Sequence, residues 1–277
     1  MTRYEEIAKR ICDADAVLIG ASNGLSISEG LHIFAEDQAF GDIFGDFKER
    51  YGLYNILSGL LARWPSQEAK WAFLSRLIGH YSIGYTGSPM MDQIMDIIGG
   101  RPYFVVTSNG ECHFELAGYD PDSIYEIEGS WGEMQCARGC HDLRYPVFPL
   151  IPKMAAAEKG CKVPSALVPR CPKCGGEMRL GTSDEKAQQR CQDFIGKYHG
   201  KRLLILELGI GWRNQLIKAP LMDLVQREPH AVYITVNKGE IYIPDVIREK
   251  SYGLDGDVTD VLKLLSDTVK EERCVCG

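Results

Sequence analysis

The sequence predicts an α/β protein with a Rossmann-like, doubly wound parallel sheet, into which a helical segment and a small zinc-binding module are inserted. Two observations lead to this fold class. Short apolar segments alternate with helical patterns along most of the chain, as in parallel sheets that are covered by helices on both faces. Two cysteine pairs lie in a stretch rich in proline and glycine, which has too few long apolar segments to form a layer of the main core.

The predicted elements follow one another in chain order. A first helix is predicted over residues 4–14, where Ile7, Ile11 and Ala14 share one face, and an apolar strand follows at 16–19. Further strands are predicted at 103–107, 124–127, 203–207 and 232–236. Further helices are predicted around 219–228 and over 257–272.

This order divides the chain into three parts. Residues 1–35, 100–130 and 183–277 are predicted to form one discontinuous, Rossmann-like nucleotide-binding domain. Residues 36–99, which are rich in aromatic side chains and partly helical in their spacing, are predicted to form a helical insert. Residues 131–182 contain the two cysteine pairs and are predicted to form a zinc-ribbon-like module.

The composition excludes several classes of function. Of 277 residues, 45% are hydrophobic and 25% are charged, as is typical of a soluble globular protein. The 31 basic and 38 acidic side chains give a net charge of −7, which disfavours broad binding to nucleic acid or anionic membranes. The N-terminus predicts a polar helix and no signal peptide, and no apolar run approaches the roughly 18 residues of a membrane span. We therefore expect a cytoplasmic protein whose cysteines are reduced or metal-bound.

A glycine-rich turn follows the first predicted strand. Gly20, Gly24 and Gly30 alternate with small hydroxyl residues, and turns of this kind present backbone N–H groups to a phosphate. The spacing matches neither the P-loop nor the G-x-G-x-x-G pattern, which disfavours an ordinary nucleoside triphosphatase or dehydrogenase. A plain strand-to-helix connection is the alternative interpretation of this segment.

Four cysteines are predicted to hold a structural zinc ion. They form two knuckle-like pairs, Cys136 with Cys140 and Cys171 with Cys174. Each pair can place two thiolates around one tetrahedral ion. Because the segment 141–170 between the pairs is long for a zinc ribbon, Cys161 or His141 is an alternative ligand. Four thiolates leave no open position, so the ion would stabilise the fold and take no part in catalysis.

Taken in order, these motifs resemble the sirtuin family over almost the whole chain. Gly20–Phe34 is similar to the sirtuin opening motif with two additional residues, and Thr107–Glu111 is similar to the family's Thr-Gln-Asn-x-Asp segment. The cysteine pairs resemble the zinc knuckles of the family, Glu207–Gly211 resembles the strand that ends in Gly-x-[GS], and Val236–Asn237 resembles the strand that ends in asparagine. The resemblance implies a sirtuin-like fold that uses NAD.

By motif position, the resemblance implies a role in binding NAD for several residues. Those expected to hold the pyrophosphate are Gly20, Ala21, Gly24 and Ser26. Those expected beside the adenosine half are Gly209, Gly211 and Asn237. Asn109 is expected to orient the nicotinamide ribose, and Glu111 to replace the aspartate that contacts the nicotinamide carboxamide. Without the resemblance, the alternative interpretation is that Asn109 is a turn residue, Glu111 a solvated helix cap and Glu128 a surface residue.

Glu128 is the main departure from the sirtuin pattern. It stands where sirtuin deacylases have the histidine that acts as general base on the nicotinamide ribose. An ordinary glutamate is already ionised near neutral pH and is a weaker base than imidazole. His32 and Ile33 also replace the proline and the acidic residue of the opening motif, so deacetylation is disfavoured. Glu128 is expected either to stabilise positive charge on the ribose as nicotinamide leaves or to take a proton from the acceptor.

Other segments resemble the macrodomain-linked branch of sirtuins, which is similar to mono-ADP-ribosyltransferases. These segments are Phe114–Tyr119, Gln135–Cys136, Glu207–Trp212 and Ile217–Pro220, although the branch usually has glutamine at the position of Glu128. The resemblance implies NAD as donor, a lipoyl-carrier protein as acceptor and a macrodomain hydrolase as partner. The alternatives are an NAD-dependent protein deacylase with Glu128 as base, and a sirtuin-like module that binds NAD or ADP-ribose without turnover.

Overall fold

A six-stranded parallel sheet forms the centre of the structure, a computed structural model that describes residues 2–276, with side chains to residue 274. The strands of the described chain are β1 (Ala16–Ala21), β2 (Tyr103–Thr107), β3 (Ile124–Glu126), β4 (Glu133–Cys136), β5 (Arg144–Pro146), β6 (Met178–Leu180), β7 (Leu203–Leu208), β8 (Val232–Asn237) and β9 (Ser251–Asp255). The helices are α1 (Arg3–Cys12), α2 (Asn23–Ser28), α3 (Gln38–Tyr51), α4 (Ile56–Leu60), α5 (Gln67–Ile78), α6 (Pro89–Ile98), α7 (His113–Leu116), α8 (Ile151–Ala157), α9 (Glu185–Lys197), α10 (Gln215–Arg227) and α11 (Val258–Cys276).

The strands of the main sheet lie in the order β3-β2-β1-β7-β8-β9, and every neighbouring pair is parallel. The chain extends the sheet from β1 in one direction and from β7 in the other, so the strand order reverses between β1 and β7. Ligands of open α/β sheets bind beside such a reversal, at the carboxyl ends of the strands. The predicted fold class, a doubly wound parallel sheet, is confirmed.

Helices cover both faces of this sheet, which explains why β1 and β7 are buried along their whole length. One face packs against α1, α6 and α11, and the other packs against α9 and α10. The apolar stripe predicted for the last helix, which includes Leu262, Leu265 and Val269, is buried in the first of these cores. Fully burying a side chain of this size contributes roughly 1.5–3 kcal/mol. None of the described helices combines the length and apolarity that crossing a bilayer requires.

The helical insert and the cysteine-containing segment share a second core. Phe44 and Phe47 on α3 and Phe73 on α5 contact one another edge-on or at a tilt, and they belong to the same buried cluster as Met154 on α8. Within the cysteine-containing segment, β4 pairs antiparallel with β5 and β6. In contrast, α6 packs against α11 of the main core, although it lies within the range 36–99. The domain limits proposed from the sequence stay a prediction.

Several elements were not predicted from the sequence. The helix α9 buries only a narrow stripe, which includes Ala187 and Cys191, so its apolar period is weak. The strand β9 is an edge strand in which Leu254 alone is fully buried, and it contains Gly253. The three strands β4 to β6 are three or four residues long, which is too short for a periodic signal.

A buried ion pair joins α10 to the centre of the sheet. Lys218 Nζ donates to Glu207 Oε1, and the two side chains are 2% and 0% exposed. The carboxylate of Glu207 also accepts from Tyr233 Oη at 2.6 Å and from Thr235 Oγ1 at 2.8 Å. These additional hydrogen bonds offset the cost of removing both charges from water. The ion pair therefore fixes the helix α10 over β7, just behind the carboxyl end of the sheet.

Removing Lys218 tests this description of the core. Lys218→Ala leaves the carboxylate of Glu207 buried without its cation, so we expect the free energy of unfolding to fall by about 3–5 kcal/mol. Urea unfolding followed by circular dichroism measures the change. Lys263→Ala, at an exposed position on α11, is the matched control and should cost less than about 0.5 kcal/mol. A loss below about 1 kcal/mol for Lys218→Ala would contradict the role given to the ion pair.

Candidate functional site

A cavity of about 1090 Å³ opens at the carboxyl ends of β1, β2 and β7. Among the residues predicted to bind NAD or act on it, those that line this cavity are Gly24, Ser26, Asn109, Glu111, Glu128, Gly209, Gly211 and Asn237. Gly20 and Ala21 are not among the lining residues, because both are buried within β1. Gly20 faces α10, where an added Cβ would lie 2.4 Å from Leu221 Cδ1. The structure thus brings the predicted residues together except for this pair, which lies inside the sheet.

Two glycines in contact form the floor of the cavity. The N–H of Gly24 donates to the carbonyl of Gly209 at 2.9 Å. A Cβ on Gly24 would lie 2.5 Å from Gly209 Cα, and a Cβ on Gly209 would lie 2.3 Å from the backbone nitrogen of Leu25. Gly209 also has a φ of +62°, a conformation that side chains disfavour. The loops after β1 and β7 can therefore meet only because neither residue has a side chain.

Asn109 is held in place by the loop after β1. Its Nδ2 donates to the carbonyl of Ser22 at 3.2 Å, and its backbone N–H donates to Thr107 Oγ1 at 3.0 Å. Ser108 Oγ donates to Ser22 Oγ at 2.9 Å, and Asn214 Nδ2 donates to both hydroxyl oxygens at 2.9 and 3.0 Å. Asn109 Oδ1 is buried and accepts no hydrogen bond from the described residues. The amide nitrogen of Asn109 is thus fixed by a hydrogen bond, while its amide oxygen is able to accept one from a ligand.

A buried imidazole connects the helical insert to the loop after β2. His113 Nδ1 lies 2.6 Å from Glu29 Oε2, and His113 Nε2 lies 2.7 Å from the carbonyl of Tyr81. Because both neighbours are acceptors, only the doubly protonated ring can donate to both. Burial disfavours this charge, but the hydrogen bond to Glu29 and the carboxylate of Glu111 raise the pKa of His113. The ring of Tyr85 stacks on it with a centroid separation of 3.9 Å.

Glu111 lies between this imidazole and the cavity. Its Oε1 accepts from Ser26 Oγ at 2.6 Å and lies 3.9 Å from His113 Nδ1. The residue is 4% exposed, and burial raises its pKa despite the opposing effects of His113 and Ser26. A carboxyl group with a raised pKa can keep its proton and donate a hydrogen bond. Glu111 is therefore a buried polar group and not the solvated helix cap of the alternative interpretation.

Glu128 is carried by the loop that follows β3. Its side chain lines the cavity from the outer edge, where it is exposed, and partial burial raises its pKa above the ordinary value. The loop is fixed by the backbone N–H of Trp131, which donates to the carbonyl of Gly110 at 2.7 Å. Gly129 has a φ of +96° and packs against the backbone of Gly181. These contacts hold the loop of Glu128 against the loop of Asn109.

The four predicted metal ligands converge in a separate cluster. The sulfurs of Cys136 and Cys174 lie 3.6 Å apart, those of Cys140 and Cys171 lie 3.5 Å apart, and all four lie within 4.8 Å of one another. A tetrahedral ion with Zn–S bonds of about 2.3 Å requires sulfur separations of about 3.8 Å, so the cluster fits zinc. Backbone N–H groups of Cys140 and Arg138 lower the pKa of Cys136 to about 6, which favours the thiolate.

The alternative ligands lie outside this cluster. Cys161 is buried near Asp46, where burial raises its pKa to about 11. His141 Nδ1 lies 3.1 Å from Cys140 Sγ, while its Nε2 lies 2.8 Å from Tyr145 Oη. His141 is thus placed to donate a hydrogen bond to a ligand sulfur, as residues that surround metal ligands do. The four-cysteine set predicted from the sequence is complete without either residue.

Sequence reasoning missed several residues of the cavity. Ser22, Trp131, Arg213 and Asn214 line it, and His113 lies directly behind Glu111. Asn214 precedes α10 and follows the Gly-x-Gly turn, which is a position where polar residues meet ligands at the carboxyl edge of a sheet. His113 had no local signal, because its partners Glu29 and Tyr81 are distant in the sequence. Within residues 2–276 the guanidinium of Arg213 has no ion-pair partner, so its charge is available to the cavity.

The imidazole at His113 predicts a particular pH dependence of stability. Its pKa is raised above 6.5, so its contribution is complete below pH 6.5 and is lost as the pH rises through the higher folded value. The pKa of Glu29 is lowered below 4.5. The contribution of its carboxylate to stability is therefore lost only as the pH falls through that lower value. We expect His113→Gln to destabilise by more than about 1 kcal/mol near pH 6, and by less near pH 9.

Urea unfolding of both proteins between pH 5 and pH 9 measures this difference. His230→Gln, at an exposed position, is the matched control and should show no pH-dependent difference from the parent protein. A difference for His113→Gln that stays constant, or grows as the pH rises, would show that the ring is neutral in the folded protein.

Two curated proteins are similar to this chain over most of its length. The chain is 30% identical over 277 residues to a protein ADP-ribosyltransferase of Staphylococcus aureus, and the match covers 94% of this chain and 86% of the relative. It is 28% identical over 280 residues to a protein of Fusarium oxysporum f. sp. cubense named probable bifunctional ADP-ribose hydrolase/ADP-ribosyltransferase. That match covers 92% of this chain but 46% of the Fusarium protein. No family model matches the sequence.

Solved structures of Sir2 homologues have the same fold. A Sir2 homologue in complex with ADP-ribose aligns with a TM-score of 0.67 at 16% identity, over 99% of this chain and 98% of the other. A Sir2 homologue in complex with NAD aligns with a TM-score of 0.66 at 17% identity, over 99% and 95% of the two chains. The resemblance stated from the sequence is confirmed. The chain belongs to the family of the Staphylococcus protein ADP-ribosyltransferase, and its fold is that of the sirtuins.

Proposed function

We propose that the protein transfers ADP-ribose from NAD to a protein acceptor and releases nicotinamide. One observation carries the proposal: Asn109, which has an open acceptor oxygen, and Glu128 line the same cavity at the carboxyl edge of the sheet. The family of the chain makes NAD the donor that such a cavity would bind. The enzyme would therefore be an NAD-dependent ADP-ribosyltransferase.

The cavity has a suitable group for each part of NAD. The pyrophosphate would lie over the contact between Gly24 and Gly209, where backbone replaces side chains and Arg213 supplies a positive charge. The adenosine would extend toward Gly211 and Asn237 at the ends of β7 and β8. Gly20 and Ala21 would support this loop from within the sheet without touching the nucleotide.

The nicotinamide half would lie on the side of Asn109 and Glu111. The Asn109 amide is held by Ser22 and has its Oδ1 free to accept from a ribose hydroxyl. Glu111, when protonated, would donate to the carbonyl oxygen of the nicotinamide carboxamide. Both contacts fix the ring and its ribose before the bond between them breaks, so they reduce the entropic cost of reaction.

Glu128 would then act on the chemistry itself. The bond between C1′ of the ribose and the nicotinamide nitrogen breaks, nicotinamide leaves as a neutral molecule, and positive charge develops on the ribose. The Glu128 carboxylate would stabilise that charge, or accept the proton that the acceptor nucleophile loses as it bonds to C1′. Its raised pKa makes it a better base than an ordinary glutamate.

The acceptor side of the cavity is apolar. The helical insert and the loop after α2 line it with Ile33, Phe34, Leu57, Leu60 and Leu61, and Phe34 and Leu61 are 48% and 74% exposed. An acceptor with a long apolar arm, such as a lipoyl-carrier protein, would bury this surface. A separate hydrolase of ADP-ribose, a macrodomain protein, is the proposed partner. The Fusarium relative, whose name combines both activities, supports that pairing.

The four-cysteine cluster would hold one zinc ion and stabilise residues 131–182. Its ligands are Cys136, Cys140, Cys171 and Cys174, whose separations fit a tetrahedral ion. When bound, zinc supplies cross-links between the two knuckles and no open coordination position. Thiolate ligands require reducing conditions, in keeping with the cytoplasmic location expected from the sequence.

A transfer assay tests the proposed function. Protein incubated with labelled NAD and a lipoylated carrier protein should transfer label to the carrier and release nicotinamide. We expect Asn109→Ala and Glu128→Ala each to lower kcat/KM about 100-fold or more, because they remove a positioning group and a charge-stabilising group. Glu249→Gln is the matched control, because Glu249 is exposed and does not line the cavity, and its kcat/KM should be unchanged.

The other outcomes of the assay separate the alternatives. An O-acyl-ADP-ribose product from an acyl-lysine peptide would favour the deacylase, and saturable NAD binding without any product would favour the silent module. Full transfer activity in Glu128→Ala would remove Glu128 from the mechanism. A rate that falls as the pH falls through the raised pKa of Glu128, and loses this dependence in Glu128→Gln, would support its ionised role.

Loss of the metal should unfold the cysteine-containing module. Because the binding energy of structural zinc is also folding energy, Cys174→Ser should abolish amide protection across residues 131–182. Hydrogen exchange followed by mass spectrometry measures protection in each segment. Cys191→Ser, which removes a buried cysteine of α9 outside the cluster, is the matched control. Native protection of 131–182 in Cys174→Ser, or after complete chelation, would exclude a structural zinc.

A further inference from the structure

A second cavity, of about 330 Å³, lies beside the cavity that contains Asn109 and Glu128, which we call the nucleotide cavity. It is bounded by the loop after β3, by the start of β4 and by α9, and Gly129 lines both cavities. Three side chains that can act as metal ligands line it together: Cys112, Glu115 and Glu126. The sulfur and one carboxylate oxygen from each glutamate lie within 4.8 Å of one another.

The two carboxylates have no partner of opposite charge in the described part of the chain. Glu126 Oε1 is fully buried and makes no hydrogen bond there. The Glu126 carboxyl is otherwise hydrogen-bonded to Ser130 and Cys112, and that of Glu115 to its own backbone N–H, and none of these groups carries a positive charge. Two partly buried carboxylates beside a buried thiol are costly unless a cation or protons compensate their charge.

The arginines of the cavity do not supply that cation. Arg144 donates to the carbonyls of Thr182 and Ser183 at 2.9 and 3.1 Å and pairs with Glu133 at 3.3 Å. Arg190 donates to the carbonyl of Asp122 at 2.8 Å. Both guanidinium groups are therefore directed to other acceptors around the rim, and Glu115 and Glu126 face the cavity without them.

We propose that Cys112, Glu115 and Glu126 form a second metal site, which binds a divalent ion of the zinc class. One thiolate and two carboxylates are a donor set that zinc accepts. The three donor atoms, now within 4.8 Å of one another, would move to separations of about 3.5 Å around one ion. Ser130 Oγ lies 3.0 Å from Cys112 Sγ and accepts from the N–H of Gly132 at 3.1 Å. Its own O–H is thus placed to donate either to the sulfur or to the Glu126 carboxylate, and so to orient one of the two ligands.

Three protein ligands leave a fourth position of the ion open toward the cavity. This distinguishes the site from the four-cysteine cluster, whose sulfurs complete a tetrahedron. The ion would also join two loops of the nucleotide cavity. Cys112 follows Glu111 directly, and Glu126 lies two residues before Glu128. Metal bound here would hold the loop of Glu128 against the loop of Asn109 from behind.

Cobalt(II) is the probe that tests this site, because a thiolate ligand gives it a near-ultraviolet charge-transfer band. The 277-residue protein, with its zinc content measured, is titrated with Co²⁺. We expect a saturable signal of one Co²⁺ per chain with the band of a single thiolate, while the zinc of the four-cysteine cluster is retained. Cys112→Ser should lose the charge-transfer band, and Glu126→Gln should weaken Co²⁺ binding roughly tenfold or more.

Cys191→Ser is the matched control and should keep both the band and the affinity, because Cys191 is buried elsewhere on α9. Thermal unfolding of each variant shows that it is folded, and Glu126→Gln provides the test if Cys112→Ser does not fold. Absence of a saturable Co²⁺ signal in the parent protein would overturn the proposal. It would indicate that protons, and not a metal ion, neutralise the carboxylates of Glu115 and Glu126. A band that is unchanged in Cys112→Ser, with Co²⁺ affinity unchanged in Glu126→Gln, would overturn it as well.

Discussion

The contact between Gly24 and Gly209 is the constraint on which the candidate site depends. The reversal of strand order places the loops after β1 and β7 side by side, but they form one floor only because their backbones touch. A side chain at either position would overlap the opposite backbone and push the loops apart. The positions of Asn109 and Asn214 follow from this contact, since both side chains hydrogen-bond to Ser22 in the loop after β1.

Charge compensation is the second requirement of the site. Acidic side chains line the nucleotide cavity and the space behind it, while the nucleotide itself brings two negative phosphates. The imidazolium of His113 compensates Glu29 and lies close to Glu111, and Arg213 faces the cavity. His113 Nε2 also donates to the carbonyl of Tyr81 in the helical insert, so the charge of the site and the position of the insert are coupled.

The sequence predicted the parts of the structure that have local signals. Apolar strands, the stripe of α11 and the cysteine knuckles each depend on residues close together in the chain, and the structure contains them all. Gly20 was grouped with the cavity because it lies in a glycine-rich turn, yet its lack of a side chain serves the packing of α10 on β1. His113, Arg213 and the cluster at Cys112 could not be recognised in advance. Their roles depend on contacts with residues more than ten positions away in the sequence, such as Glu29 and Glu126.

The central claim is that NAD binds with its nicotinamide ribose between Asn109 and Glu128. A crystal structure of the protein with NAD or ADP-ribose measures this directly, as the distance from the Glu128 carboxylate to the ribose. We expect the pyrophosphate over the Gly24–Gly209 contact, and a Glu128 oxygen within about 3 Å of a hydroxyl of that ribose. A nucleotide bound outside the cavity, or one whose ribose lies beyond hydrogen-bonding reach of both Asn109 and Glu128, would contradict the claim.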